Sequence, residues 1–210
     1  VEYFSNKKKN SEYYDKLFND GDKYLGEIYH HFQNLGLEQD TLLVVISDHG
    51  ISTGEKIGER AYGVFCYDTT LISTALFCHP KLNSIIFKNQ VRSVDILPTI
   101  LEILSIPFDK NFENIDGKSL VPLINGRDES RIAFSQSGNP LDYGKPPKEP
   151  NVYSIRTDEW KYIRNIHDST EELYHLVNDP DENSNLISQE TKKSVEMSHL
   201  MDELLNKKKK

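Results

Sequence analysis

Residues 41–46, Thr-Leu-Leu-Val-Val-Ile, form a short and almost unbroken apolar run that ends abruptly at Ser47, Asp48, His49 and Gly50. A β-branched run of this length with no polar alternation predicts a central strand covered on both faces. Ahead of it, Leu17, Tyr24, Leu25, Ile28, Phe32 and Leu35 recur at three-to-four spacing, which predicts an amphipathic helix over residues 11–35. Ser11 is the expected cap of that helix and Gly36 its expected stop. Helix, short polar connection and buried strand together make an α/β unit.

The order of the remaining segments extends this reading. Leu71–Cys78 reads as a second strand, Val91–Leu104 as a helix with Val94, Leu97, Ile100, Leu101 and Leu104 on one face, and the run after Arg131 as a third strand. Pro98 falls inside the helical pattern, so the helix is expected to begin near Leu97 or to bend there. Gly138–Asn151 is proline-rich and has the composition of an exposed connection. Beyond it the pattern changes: Val152–Arg156 and Trp160–Arg164 flank a polar Thr-Asp-Glu and signal a hairpin, a further strand leads to a turn at Asp179-Pro180, and residues 189–206 read as a helix. Trp160, Tyr162 and Tyr174 are the expected core of this small sheet, and Asp95 is expected to cap or orient its helix. The expected division is residues 1–140 as α/β and 141–210 as a smaller antiparallel sheet plus helix.

A chain of 210 residues can build one large domain or two small ones. With 37% hydrophobic and 28% charged residues it belongs with globular chains carrying a charged surface, and no apolar run approaches the roughly 20 residues that span a bilayer. The net charge of -8 argues against general nucleic-acid binding, although a compact basic pocket for an anion fits inside an acidic protein. Cys66 and Cys78 are too few for a disulfide framework and lack zinc-site spacing, so both are expected as core thiols. The chain begins at Val1, which reads as processing or excision from something longer. Two isolated cysteines and no visible targeting segment give a cytoplasmic location as the expectation.

In an open α/β sheet, ligands bind beyond the carboxyl ends of the strands, where Asp48 and His49 are expected. Gly50 permits a sharp turn that lets two adjacent side chains approach one centre. A carboxylate oxygen and a neutral imidazole nitrogen both ligate divalent ions, and such an ion polarises an ester oxygen. A plain turn in which Asp48 caps the next amides accounts for the same triplet, and two ligands alone do not complete a site.

Taken together, Val-Val-Ile-Ser-Asp-His-Gly, the stretch from Gly63 to Phe77, the Asp-Ile-Leu-Pro-Thr helix, Asp-Gly-Lys-Ser-Leu, and the Glu-Leu-Tyr-His-Leu-Val-Asn-Asp-Pro-Asp-Glu-Asn-Ser-Asn-Leu ending resemble the C-terminal half of a sulfatase of the alkaline phosphatase superfamily. These blocks follow the family's order and cover roughly residues 12–190. The resemblance implies an alkaline-phosphatase-like sandwich portion, a mixed sheet flanked by helices, with a small C-terminal antiparallel α+β subdomain. It also implies a hydrolase of sulfate or phosphate esters of small molecules or glycans, with Asp48 and His49 as ligands to a divalent metal ion. Calcium is the usual sulfatase metal, and an imidazole ligand tilts the choice toward manganese or zinc.

Two departures qualify what the resemblance implies. The family's nucleophile motif, which lies in an N-terminal block with two further aspartate ligands, is not in this chain. The missing N-terminal half is therefore an expected partner, and this piece alone is expected to be inactive. Tyr62 stands where many relatives carry histidine, and a phenol is a poor metal ligand at neutral pH because its proton leaves near pH 10. Tyr62, Lys56 and Arg60 are expected to contact the anionic ester group, with a mobile loop paired to Glu55 and Glu59 as the competing reading. The Asp-His form is similar to phosphatase-like and phosphonate-hydrolase-like members, so a phosphodiester or phosphonate hydrolase or a phospho-group transferase is one alternative. A non-catalytic binding module is another.

Overall fold

The computed structural model describes residues 6–109, 115–127, 131–139 and 149–208. It divides into two compact units, Val1–Gly63 with Thr69–Ser84, and Val64–Asp68 with Ile85–Lys210.

In the first unit, helix α1 (Lys7–Asn34) precedes strand β1 (Leu43–Ile46), and strand β2 (Ala75–Cys78) pairs antiparallel with β1 in the register Leu43 with Cys78 and Ile46 with Ala75. Gly36 ends the helix as expected, at φ 67°, a left-handed conformation glycine adopts without a Cβ penalty. Ser11 lies inside the helix rather than capping it, and its hydroxyl sits 3.1 Å from that of Thr53. β1 is not covered on both faces: Leu43, Val44 and Val45 are half-buried and Ile46 is exposed. Leu17, Phe18, Tyr24 and Ile28 of α1 are likewise exposed. One long helix and two short strands offer too little surface to cover the apolar side chains that their periodicity presents.

The expected strand from Leu71 starts late. Asp68–Leu71 instead forms a single helical turn, α2, and only Ala75–Cys78 is extended. Cys78 is exposed while Cys66 is buried, so only Cys66 is a core thiol.

In the second unit, strands β3 (Ala133–Ser137), β4 (Val152–Arg156), β5 (Trp160–Asn165) and β6 (Thr170–His175) form an antiparallel meander. Helix α5 (Thr191–Lys208) packs Met197 and Met201 onto Ile155, Tyr162 and Leu173, all of them buried. The hairpin at Thr157–Glu159 falls where the residues predict, with Tyr162 in the cluster and Trp160 half-buried at its edge, whereas Tyr174 is buried outside that cluster, on the opposite face of the sheet from Leu173. β3 precedes residue 140 and pairs with β4 beyond it. Most of the proline-rich connection expected over 138–151, and the last two lysines, lie outside the described residues.

A 3-10 turn, Ser93–Asp95, leads into helix α3 (Ile96–Ile103), so Pro98 occupies the first helical turn, where its missing N–H leaves no bond unmade. Its buried face is Asp95, Pro98 and Thr99, while Val94, Leu97 and Leu104 are exposed, contrary to the apolar stripe. The reason is polar: Asp95 accepts from Arg92 and from the Lys118 amide, Arg131 pairs with it at 3.0 Å, and Thr99 accepts from the Leu120 amide at the start of helix α4 (Val121–Ile124). These partners hold that face inward. The Asp-Pro-Asp-Glu-Asn-Ser-Asn-Leu motif resolves the same way. Asp179 accepts from the amides of Asn183 and Ser184, Asn185 accepts from the Leu173 amide, and Glu182 is buried against Lys161.

Candidate metal-binding turn

The turn after β1 starts with a reciprocal lock, in which Ser47 N–H donates to the Thr74 carbonyl at 2.9 Å and Thr74 N–H donates to Ser47 Oγ at 2.7 Å. The next three residues are Asp48, His49 and Gly50. Gly50 N–H donates to the Thr70 carbonyl at 3.0 Å. A Cβ at position 50 would stand 2.4 Å from the Thr69 carbonyl oxygen and 2.9 Å from that of Ile72, so the glycine is required by close approach of the backbone. Gly50→Ala is therefore expected to destabilise the first unit by about 1–3 kcal/mol, because backbone carbonyls cannot swing aside as side chains do. A denaturant midpoint equal to wild type would contradict this.

Asp48 and His49 are brought together as the sequence predicts. The Asp48 carboxylate accepts from the His49 backbone N–H at 2.9 Å, and its second oxygen lies 3.5 Å from His49 Nε2. On the other side of the ring, His49 Nδ1 is 2.7 Å from the Gly50 carbonyl oxygen. A carbonyl only accepts, so Nδ1 carries a proton and Nε2 faces Asp48 with a lone pair or a second proton. In the neutral ring, lone pairs on Nε2 and Oδ2 oppose each other unless a cation or proton lies between them. Backbone anchoring of Nδ1 with Nε2 outward is also how metal-bound histidines are commonly oriented. This donor pair fits a divalent ion. Among the described residues, no group of three or more His, Cys, Asp or Glu side chains joins into a metal cluster.

Tyr62 is also brought to the pair: its exposed ring meets that of His49 edge-on, with centroids 5.6 Å apart and planes at 73°. Lys56 is half-buried and Arg60 exposed, at the two ends of a turn in which Glu59 N–H donates to the Lys56 carbonyl at 3.2 Å and Gly63 N–H to the Arg60 carbonyl at 2.9 Å. The Glu55 carboxylate accepts from Ser52 Oγ at 3.1 Å, the Thr53 amide at 2.7 Å and the Gly54 amide at 3.1 Å, and also from the Thr53 hydroxyl. Burial pushes Glu55 upward, but these donors outweigh it and hold the carboxyl below its ordinary range. Its role is to shape the turn. The supports that sequence reasoning missed are Thr69, Thr70 and Ile72 behind Gly50, and Asn10 on α1, whose side chain donates to the Thr53 carbonyl at 3.0 Å. No local pattern signals them, since the partners lie some 20 and 43 positions apart.

A sulfatase family model matches residues 2–106, and one described as N-sulphoglucosamine sulphohydrolase, C-terminal, matches residues 64–210. Arylsulfatase K of Canis lupus familiaris is 29% identical over 208 residues, covering 92% of this chain and 36% of that protein. The chain thus spans about a third of the length of the curated relatives it matches. Among solved structures, the sulfatase yidJ of Bacteroides fragilis superposes with a TM-score of 0.70 at 21% identity, over 89% of this chain and 40% of that one. A protein solved in complex with its substrate D-glucosamine-2-N,6-O-disulfate superposes with a TM-score of 0.67 at 22% identity, over 88% of this chain and 38% of that one. Likeness at this identity shows a shared fold.

Proposed function

We propose, from the premise that this chain belongs to the sulfatase family of the alkaline phosphatase superfamily, that it is the C-terminal part of a metal-dependent sulfuric ester hydrolase. Its α/β fold with antiparallel sheets is alkaline-phosphatase-like. Asp48 and His49 are the ligands this chain contributes to one divalent ion, calcium, manganese or zinc, which when bound supplies Lewis-acid polarisation of the ester oxygen. The observation that supports this reading is the 3.5 Å approach of His49 Nε2 to Asp48 Oδ2, with Nδ1 held by the Gly50 carbonyl. The carboxylate contributes negative charge, and the Gly50 carbonyl fixes the ring so that Nε2 points outward. Lys56 and Arg60 are placed in the reading as contacts for the anionic ester group, as a point charge and a planar donor fork, with the Tyr62 phenol as a neutral donor.

The substrate in this reading is a sulfate ester of a small molecule or glycan, in keeping with the arylsulfatase name of a relative and the sugar sulfate bound by a structural neighbour. The nucleophile and remaining ligands are assigned to sequence outside these 210 residues, the N-terminal half of the same protein. Exposed apolar side chains on α1 and β2, including Leu17, Ile28 and Leu76, support such a partner. Alone, the chain is expected to turn over no aryl sulfate.

Titration with Mn2+, followed by paramagnetic broadening of the Ser47 and Gly50 backbone amides, tests the metal reading. Wild type should broaden selectively, and Asp48→Asn and His49→Ala should each weaken binding at least about tenfold. Equal affinity in all three chains would overturn it. Comparing aryl sulfate with aryl phosphate and phosphonate esters on the longer protein then separates sulfatase from the phospho-ester alternative that the Asp-His pair also suits.

A further inference from the structure

Residues 50–63 leave the end of β1 and come back beside it, and two contacts draw the arms of this loop together. Ser52 is fully buried, and its N–H donates to the Ala61 carbonyl at 2.9 Å. Thr70, also buried, touches both ends of the loop. Its carbonyl accepts the Gly50 N–H at 3.0 Å, and its side chain lies so close to Gly63 that a Cβ there would stand 2.7 Å from Thr70 Oγ1 and 2.8 Å from Thr70 Cβ. A loop of this length whose ends meet and whose own groups fill it is an Ω-loop, and the Glu55 carboxylate fills this one, with donors from Ser52, Thr53 and Gly54. All of these residues belong to the first unit.

Each end of the loop carries one ring. His49 precedes Gly50, Tyr62 precedes Gly63, and the two rings meet edge-on with centroids 5.6 Å apart. The Tyr62 side chain is exposed, so burial does not fix it and the backbone on which it rides must. That backbone turns at Gly63 with φ 83°, a left-handed conformation, directly against Thr70. Threonine is β-branched and stiff at its first side-chain torsion, which suits it as a spacer between two chain segments.

We propose that Thr70 is a positioning residue for the His49–Tyr62 ring pair, its carbonyl setting the Gly50 end of the loop and its side chain the Gly63 end. It thereby fixes where the Tyr62 phenol stands beside the ion held by Asp48 and His49. This last consequence rests on the metal reading of that pair, but the spacing of the rings does not. With Thr70 shortened, the two ends lose their shared spacer while β1 and β2 keep their own ladder.

The full chain carrying Thr70→Ala, and separately the milder Thr70→Ser, which keeps the hydroxyl, tests this by proton resonance. Tyr62→Leu sets the scale, because it removes outright the ring that shifts the His49 ring protons. At about pH 8, where an ordinary imidazole is neutral, Thr70→Ala should move the His49 ring-proton shifts toward the Tyr62→Leu values by about half of that change or more, and Thr70→Ser by less. Amide exchange of Gly50 and Gly63 should accelerate by about threefold to tenfold in Thr70→Ala, while the β1 amides that pair with β2 keep their protection. Mn2+ broadening of the Ser47 and Gly50 amides should weaken less in Tyr62→Leu than in Thr70→Ala, since a phenol is a poor ligand at neutral pH whereas Thr70 also holds Gly50. Ring shifts unchanged in Thr70→Ala would overturn the proposal, and so would equal loss of protection throughout β1 in both Thr70 variants. If Thr70→Ala does not fold, the ring shifts of Thr70→Ser decide. Absence of Mn2+ binding in wild type would defeat the metal reading alone, and the ring shifts would still decide whether Thr70 positions the pair.

Discussion

Lys161→Met is expected to lower unfolding free energy at neutral pH by about 3–5 kcal/mol, since it leaves buried carboxylates without their cation. Lys161 is fully buried and lies 2.6 Å from both Asp68 Oδ1 and Glu182 Oε1. Arg156 would remain beside Asp68, but Glu182 would lose its ion pair. The two carboxyls respond oppositely to their surroundings. Burial pushes Asp68 up, yet the Lys161 and Arg156 charges outweigh burial and hold it below its ordinary value. For Glu182, burial aided by the nearby Asp68 charge outweighs Lys161, so its value is raised.

The signs for stability follow. Asp68 contributes stability above its unfolded value, about 4, that is lost as pH falls through its lower folded value. Glu182 contributes stability below its unfolded value, which is lost as pH rises through its raised folded value. Once Lys161 is gone Glu182 has no cation and favours its protonated form, while Asp68 keeps only Arg156, so the penalty should shrink on acidification toward pH 4. Adding Asp68→Asn and Glu182→Gln should restore part of the loss, because a neutral set no longer needs a buried cation. Urea unfolding at pH 7 and pH 4.5 measures all of this, and a loss below about 1 kcal/mol at pH 7 would refute the account.

The second large effect is expected at Asp95→Ala, again about 3–5 kcal/mol. Asp95 has no exposed surface, and its oxygens take Arg92 at 2.7 Å, Arg131 at 3.0 Å and the Lys118 amide at 2.9 Å. Alanine would leave the Arg131 guanidinium, whose side chain is 4% exposed, without its carboxylate and with the Lys118 and Ser119 carbonyls as acceptors, and would leave the 118 amide unmatched. Burial raises the Asp95 carboxyl, but the bonds from Arg92, Lys118 and Arg131 outweigh burial and hold it low. Stability from this group is thus present above about pH 4 and lost as pH falls through its lower folded value. Asp95→Asn should flatten that acid limb at a smaller cost at neutral pH, since a neutral amide keeps an acceptor for Arg92 or Lys118. Thermal unfolding across pH 3–7 reads the difference, and an unchanged acid limb would count against the assignment.

Much of the fold was legible in the residues because the signals are local. The stop at Gly36, the hairpin around Thr157–Glu159, the place of Tyr162 in the core, and the C-terminal helix all follow from period, turn chemistry and caps. The reading failed where a partner remote in sequence decides the outcome. Leu71–Thr74 did not extend as strand: Leu71 ends α2, and the carbonyls of Thr69 and Ile72 lie behind Gly50. Val94, Leu97 and Leu104 of the apolar stripe do not face inward, because Asp95 and Thr99 collect bonds from Lys118, Leu120 and Arg131.

The same division holds at the candidate site. Strand end, carboxylate, imidazole and glycine stand consecutively, so their adjacency at one turn was determined by covalent order and the reach of two short side chains. Tertiary structure alone decided why position 50 must be glycine, which nitrogen of His49 faces outward, and that residues 64–68 seat on a sheet whose strands lie about a hundred positions later. Those outcomes turn on which desolvated charge finds a counter-charge and which carbonyl approaches which backbone, and such energies depend on distances through space that no stretch of sequence encodes by itself.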